Sequence, residues 1–492
     1  MGKQYILSID QGTSGTKTII IDETGALVGK ATVPLQTFFL PGGFVEQDPE
    51  TIYRNVLASV KQCLDGFIEK GHALAELKAC GISNQRETFI AWDAQGQPLY
   101  NAVVWQCKRS VSVCNRLKQE GLESTVKEKT GLIIDPYFSA TKLIWLNEHI
   151  PAVQEAIAKG EAFFGTVDSW LLYRLTGGQS YYTDYTNASR TMFFNLAGLC
   201  WDKQLLHAYG LDALQLPVPK PSSAYYGETD FEGLLPQPLS VTAMIGDSHA
   251  AAFGEGCFSF GTAKATLGTG CSILMNTGEA IARSQHGMVS TICWSTEDRV
   301  DYALEGVIVS CGATIEWLKN ELGLFTDSAQ TESMANAVPD NNGVYLIPAF
   351  SGLGAPHWDM NRKAAIAGLT FGSNKNHIVR AALESIPYQV KDVIVAMESD
   401  AGAPLKELMV NGGMVSNKFV LQFLSDLLDK PVVCGTMPDV SALGAAWLAG
   451  LKAGVFNSLA HLQSLNAGKP AHRPGPGKEK AQAWYAGWKK AL

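Results

Sequence analysis

Two glycine-flanked acidic turns, far apart in the chain, most constrain its fold. The first is Asp10-Gln11-Gly12-Thr13-Ser14-Gly15-Thr16-Lys17; the second is Gly246-Asp247, followed by Gly268-Thr269-Gly270. Each sets a carboxylate at a predicted strand end beside small, hydroxyl-bearing residues. Such turns let backbone N–H groups approach phosphate oxygens closely while the acid handles a metal or a proton. Two of them, in separate halves of a 492-residue chain, imply two lobes facing each other across a nucleotide.

The order of elements supports duplication. Tyr5–Asp10 and Lys17–Asp22 read as strands with Gly12 and Gly15 in the turn between them, and a third strand is expected over Ala26–Thr32. A Walker-type phosphate loop is excluded, because those glycines stand too close and a strand follows where that motif needs a helix. Apolar residues at Ile52, Val56, Val60 and Leu64 predict a helix over Thr51–Phe67, and Ala79–Ser83 reads as a short strand. Alternation continues past Phe163–Asp168 and Trp170–Leu175 to Val241–Asp247, with Pro-rich loops at Leu216–Pro221 and around Leu235–Leu239. The later half begins again with strands at Ala263–Leu267, Ser272–Asn276, Met288–Trp294 and Val300–Leu304. Helices follow at Ser310–Leu322, His377–Glu398 with a kink at Pro387, Lys418–Leu428, and Ala442–Ala449 closed by Gly450 as a left-handed cap. Pro470 to Lys480 reads as an exposed loop.

At roughly 100–200 residues per domain the chain holds more than one core. With 39 Lys and Arg against 47 Asp and Glu, and no long basic run, nucleic acid is not expected as a partner. No apolar run reaches the roughly 18 residues of a membrane span. The opening Met1-Gly2-Lys3-Gln4-Tyr5-Ile6 lacks an apolar leader, and Ile6 stands where myristoylation takes Ser or Thr. Ten cysteines from Cys63 to Cys434 show no CxxC pair and no zinc spacing, so reduced thiols in a cytoplasmic enzyme are expected.

Several short motifs carry both a plain and a chemical reading. Asp10–Lys17 is either a surface hairpin with a turn-stabilising Asp, or a turn whose Thr13 and Ser14 contact phosphates while Asp10 holds Mg²⁺ through water. Arg86-Glu87 is either a solvated ion pair or a donor and acceptor for a polyol. Trp105 and Tyr137 are either core residues or a flat wall and a phenol for a hydroxylated ligand. Asp247 either ends a strand or takes the proton from an attacking hydroxyl; His249 reads as a packed residue. Val410-Asn411-Gly412-Gly413-Met414-Val415-Ser416-Asn417 either starts a helix plainly or lets purine and ribose press on bare backbone, with Asn417 as amide partner.

Taken together, these residues resemble the FGGY carbohydrate kinases, and the glycerol-phosphorylating members most closely. Matching strings run through nearly the whole chain. They include Asn84-Gln85-Arg86-Glu87-Thr88, Val104-Trp105-Gln106-Cys107, Gly131–Ser139, Tyr137–Leu146, Thr183–Met192, Tyr302–Gly306, Gly352–Pro356 and Ala483–Lys489. The resemblance implies an α/β fold of two ribonuclease H-like (actin/hexokinase-type) domains, expected at residues 1–253 for the polyol and 254–492 for the nucleotide, closing over a cleft that excludes water. It implies transfer of the γ-phosphoryl of Mg-ATP to a terminal hydroxyl of a small polyol or sugar. It also implies a homo-oligomer, dimer or tetramer. Carried over residue by residue, the polyol contacts fall on Arg86, Glu87, Trp105, Tyr137 and Asp247, with Asp247 as base and Asp10 at the Mg²⁺. The nucleotide contacts fall on Thr13, Ser14, Lys17, Thr269, Gly312, Glu316, Gly413 and Asn417.

Two positions depart from the glycerol-specific pattern: Ser248 stands where those relatives carry Gln, and Ser272 where they carry Phe. Loss of a ring and an amide makes that side of the pocket more open and more polar. A tetritol, pentitol or ketopentose is therefore the alternative substrate, and a silent sugar sensor of the same fold the alternative class. Asp-Ser-His-Ala at Asp247 also resembles the ribulokinase string. The loop Thr229–Ser240 lacks both the Gly-Gly-x-Arg-like element that binds fructose 1,6-bisphosphate in some relatives and the histidine phosphorylated in others, so neither control is expected.

Overall fold

The computed structural model describes residues 3–435 and 437–492. The expectation drawn from Met1 and Gly2 lies outside the described residues. The chain divides into two units, each assembled from separate segments. Unit 1 comprises Met1–Gly256, Ser290–Tyr302 and Asp439–Ala467; unit 2 comprises Cys257–Val289, Ala303–Pro438 and Gly468–Leu492.

Unit 1 is built on β1 (Tyr5–Gln11), β2 (Gly15–Asp22) and β3 (Leu27–Pro34), followed by helix α1 (Pro49–Glu69), β4 (Leu77–Asn84), β5 (Ser223–Thr229), β6 (Leu239–Gly246) and helix α2 (Asp247–Glu255). Every residue of β1 is buried, which suits a central strand. β1 pairs antiparallel with β2 and parallel with β4, β4 pairs parallel with β6, and β2 pairs antiparallel with β3. The order β3-β2-β1-β4-β6 results. Asp48 caps α1 by accepting from Glu50 N and Thr51 N, and Pro49 pre-sets its first turn. Its buried stripe holds Ile52, Val56, Val60, Leu64 and Phe67, the spacing seen in the sequence.

Unit 2 repeats the scheme. Its strands β7 (Thr262–Leu267) and β8 (Cys271–Gly278) form an antiparallel hairpin, and β9 (Glu407–Asn411) lies parallel to β7. The strand Val432–Cys434 pairs parallel with β9. Helices α3 (Gly312–Asn320), α4 (Lys375–Ala401) and α5 (Lys418–Leu428) accompany the sheet, and Val379, Leu383, Leu421 and Leu424 sit in its apolar core. A hairpin followed by parallel strands, found in both units, is the duplicated α/β plan expected from the sequence.

Local readings differ at five places. Gly450 is no cap: the helix Val440–Lys452 runs through it, and a Cβ there would stand 2.4 Å from the Phe456 ring, so close packing is what requires glycine. Leu216–Pro221 contains the short strand Val218–Lys220, paired with Tyr182–Asp184. Pro470–Lys480 contains a two-residue strand, Ala471–His472, and the start of the helix Lys478–Ala491. The strand from Phe163 ends at Thr166, and Asp168 belongs to the helix Val167–Leu175. The acidic turn written as Gly246-Asp247 with Gly268–Gly270 divides between units, because the first segment of unit 1 ends at Gly256, just after α2 and before β7 begins. All ten cysteines are free. Among the described residues no helix is long and apolar enough to cross a membrane.

Candidate active site

Three strand ends of unit 1 gather the predicted groups. Asp10 stands on β1 opposite Ser83 of β4 and Lys17 of β2. Its carboxylate, 8% exposed, accepts from Ser83 Oγ at 2.9 Å. Burial pushes this carboxyl above the ordinary range, against the pull of Lys17 and Ser83. Lys17 Nζ also lies 3.4 Å from Asp439. The hairpin turn closes with Gly12 N donating to Gly15 O, and Gly15 is required because a Cβ would stand 2.8 Å from Val33 O. Thr13 Oγ1 accepts from Trp105 Nε1 at 2.9 Å, which ties the turn to the aromatic wall. Trp105 meets Tyr137 edge to face, centroids 5.6 Å apart.

At the end of β4, Arg86 folds its stem across the end of β6. A Cβ on Gly246 would stand 2.6 Å from Arg86 Cγ, so the glycine makes the crossing possible. Arg86 Nε lies 3.3 Å from Asp247 Oδ1. Asp247 opens α2, accepts from Ser248 N at 2.6 Å, and keeps its side chain 38% exposed beside an Arg86 that is only 5% exposed. A carboxylate beside a buried guanidinium with one face open suits proton acceptance from a bound alcohol. Glu87 is 1% exposed and holds the left-handed φ of 59°, rare for a side-chain-bearing residue and retained where surroundings over-determine it. Helix Asp247–Glu255 is anchored by close crossing of Val440–Lys452: a Cβ on Gly444 would stand 1.9 Å from Ala250 O.

Motif reading passed over several supporting side chains. Asp184, fully buried, caps the turn Tyr185–Ala188 and accepts from Ser222 Oγ at 2.7 Å. Burial and then neighbouring Asp168 push it up to about 7. From this cap, Thr186 Oγ1 accepts from Gly246 N at 2.9 Å, and the Asn187 and Asn84 amides exchange hydrogen bonds at 2.9 Å. The cap thus grips the ends of both β6 and β4. Buried Lys142 donates to Pro136 O at 2.8 Å and Tyr137 O at 2.6 Å. Arg190 donates to Glu87 at 2.5 Å. The N-cap spacing of Asp184 was the one available signal.

Unit 2 holds its own cluster. The β7–β8 turn docks on the start of α3: Gly312 N donates to Gly268 O and Cys311 N to Thr269 O, both at 2.9 Å. Gly312 has no room for a side chain, since a Cβ would lie 2.8 Å from Gly268 O. A small-residue turn beside a helix start suits an anion. Glu316 is exposed and accepts from Ser328 Oγ at 3.1 Å. Gly412 holds φ 95°, and the space beside Gly413 is open. Asn417 caps α5, accepting from Val420 N at 3.1 Å while donating to Thr331 at 3.2 Å. Ser272 Oγ donates to Glu305 at 3.1 Å. Arg86, Glu87, Trp105, Tyr137, Asp247, Ser248, Asp10, Thr13, Ser14 and Lys17 therefore belong to unit 1, and Thr269, Ser272, Gly312, Glu316, Gly413 and Asn417 to unit 2.

Comparison with known proteins gives a family. Residues 5–254 match the N-terminal domain of the FGGY family of carbohydrate kinases, and residues 263–453 match its C-terminal domain. The glycerol kinase of Symbiobacterium thermophilum is 45% identical, covering all of this chain and 98% of that protein. That of Desulfitobacterium hafniense is 44% identical, with 100% and 99% covered. A crystal structure of Plasmodium falciparum glycerol kinase with ADP superposes with a TM-score of 0.94 at 33% identity, covering 99% of this chain and 97% of that one. The gluconate kinase of Lactobacillus acidophilus, at 21% identity and a TM-score of 0.87, shares the fold. This chain belongs to the FGGY family of carbohydrate kinases.

Proposed function

We propose that the protein transfers the γ-phosphoryl of ATP to a terminal hydroxyl of glycerol, giving glycerol 3-phosphate. The observation that carries this reading is full-length likeness to glycerol kinases at 44–45% identity. The charged and aromatic groups of unit 1 support it. Arg86 donates to hydroxyl oxygens, Glu87 accepts hydroxyl protons, and the Trp105–Tyr137 corner covers the C–H face. Asp247 accepts the proton as the hydroxyl oxygen attacks. The balance is simple: the new O–P bond forms as the bond to ADP breaks, and the proton passes to Asp247.

Thr13, Ser14 and Lys17 in unit 1, with Thr269, Gly312, Glu316, Gly413 and Asn417 in unit 2, are assigned to ATP. Asp10 fits a Mg²⁺ ion: its buried carboxyl is pushed up by desolvation, and a cation relieves that cost. Among the described residues no three His, Cys, Asp or Glu side chains gather as a metal cage. Mg²⁺ at nucleotides takes one or two carboxylates with water and substrate phosphates, and Asp10 would supply the carboxylate. When bound, the ion neutralises charge on the phosphates. We also propose the expected division at 1–253 and 254–492 as polyol and nucleotide lobes, a homo-oligomer, and a cytoplasmic location.

Ser248 and Ser272 favour a second reading, a tetritol, pentitol or ketopentose as acceptor. ADP release measured over a panel of polyols and ketoses decides. Turnover fastest on glycerol is expected. Turnover on a four- or five-carbon compound and none on glycerol overturns glycerol while keeping the kinase, and no turnover on any overturns both.

A further inference from the structure

Glu87 and Tyr137, on separate segments, meet the same third side chain. Arg190 follows the Asp184-capped turn, donates from Nε to Glu87 Oε1 at 2.5 Å, and sets its guanidinium 5.8 Å from the Tyr137 ring centroid and 5.1 Å from that of Phe138. Both members of the ion pair are 1% exposed. The left-handed backbone of Glu87 turns the chain sharply there, and Ser139 Oγ fixes it by donating to Glu87 O at 2.9 Å.

From these contacts we propose that Arg190 is a positioning residue for the carbohydrate: it aims the Glu87 carboxylate as a hydroxyl acceptor and holds the Tyr137 ring in place. This rests on the assignment of Glu87 and Tyr137 to the carbohydrate site. A charge-assisted bond fixes the direction of the Glu87 carboxylate, and a guanidinium over two aromatic faces limits the rings' freedom. A buried ion pair is poor value for stability alone, because desolvation offsets its attraction. Its placement behind two assigned substrate contacts gives it a different use. Lysine in its place keeps the charge but neither the fork nor the stacking plane.

The test uses full-length protein and the carbohydrate on which wild type turns over best. Arg190→Ala is expected to raise the KM for that carbohydrate roughly ten- to a hundredfold, the range of a lost charged hydrogen bond, with the KM for ATP within about twofold. Added guanidinium ion at non-denaturing concentration is expected to recover part of the loss. If Arg190→Ala does not fold, Arg190→Lys decides: a carbohydrate KM raised several-fold at constant ATP KM supports the proposal. An unchanged carbohydrate KM in a folded variant, or equal losses for both substrates without guanidinium rescue, overturns it. Wild type inactive on the whole panel overturns the functional reading instead, and with it this inference.

Discussion

At the scale of single residues, the site depends on groups whose protonation burial has moved. Lys142 is lowered to about 7 by desolvation, against the opposing pull of Glu87. A neutral amine still has two hydrogens, matching its two carbonyl acceptors, Pro136 O and Tyr137 O. The unfolded lysine keeps its proton up to its ordinary value of 10.5. Between pH 7 and that value the unfolded chain therefore binds the extra proton, so the cost of burying this group falls and stability rises with pH. Lys142→Met lacks the titration. Denaturant unfolding of both proteins should show the stability difference moving in favour of wild type from about pH 7 to about pH 10; a constant difference would count against it. Ser272 makes a separate prediction. A phenylalanine there adds an aromatic face worth on the order of 1 kcal/mol, so Ser272→Phe should lower the KM for glycerol several-fold. A KM unchanged or raised would count against the assignment of Ser272 to the carbohydrate.

At the scale of elements, glycines set how closely the supports of Asp247 pack. Gly444→Ala gains about 1 kcal/mol of helix propensity, but its Cβ would fall 1.9 Å from Ala250 O. Backbone against backbone cannot yield as a side chain can, and overpacking costs typically 1–3 kcal/mol or more. The clash wins: Gly444→Ala should unfold at lower denaturant and lose turnover, while equal stability would show that the crossing can relax. This contact also marks where the sequence was legible. The hairpin turn at Gly12 and the turn Gly268–Gly270 read correctly because glycine spacing and strand patterns are local signals. Helix α1 read correctly because its apolar stripe lies in one segment. Gly450 read wrongly because a glycine near a helix end looks like a cap until Phe456 is seen against it. Arg190 carries no local signal of role, because its partners Glu87 and Tyr137 lie on segments brought together only by folding; Asp184 offers only its N-cap spacing, and its partner Ser222 is likewise distant in the chain.

At the scale of the whole molecule, each unit closes only with distant segments. The helix Val440–Lys452 belongs to unit 1 and packs on β4, where a Cβ on Gly81 would stand 2.4 Å from Ala445 O. A fragment of residues 1–253 leaves that sheet face bare and should expose apolar surface or aggregate. A soluble, cooperatively melting fragment would show that the later segments are dispensable. The chemistry divides similarly: the proposed base lies in unit 1, and most of the assigned nucleotide groups lie in unit 2. Asp247→Asn removes the proton acceptor while leaving Thr269, Gly312, Gly413 and Asn417 untouched. The decisive measurement is therefore nucleotide affinity and phosphoryl-transfer rate on the same Asp247→Asn protein. The account predicts ATP binding within a few-fold of wild type and a rate lower by about 10²–10⁴, the range of general-base catalysis. A near-normal rate would contradict it.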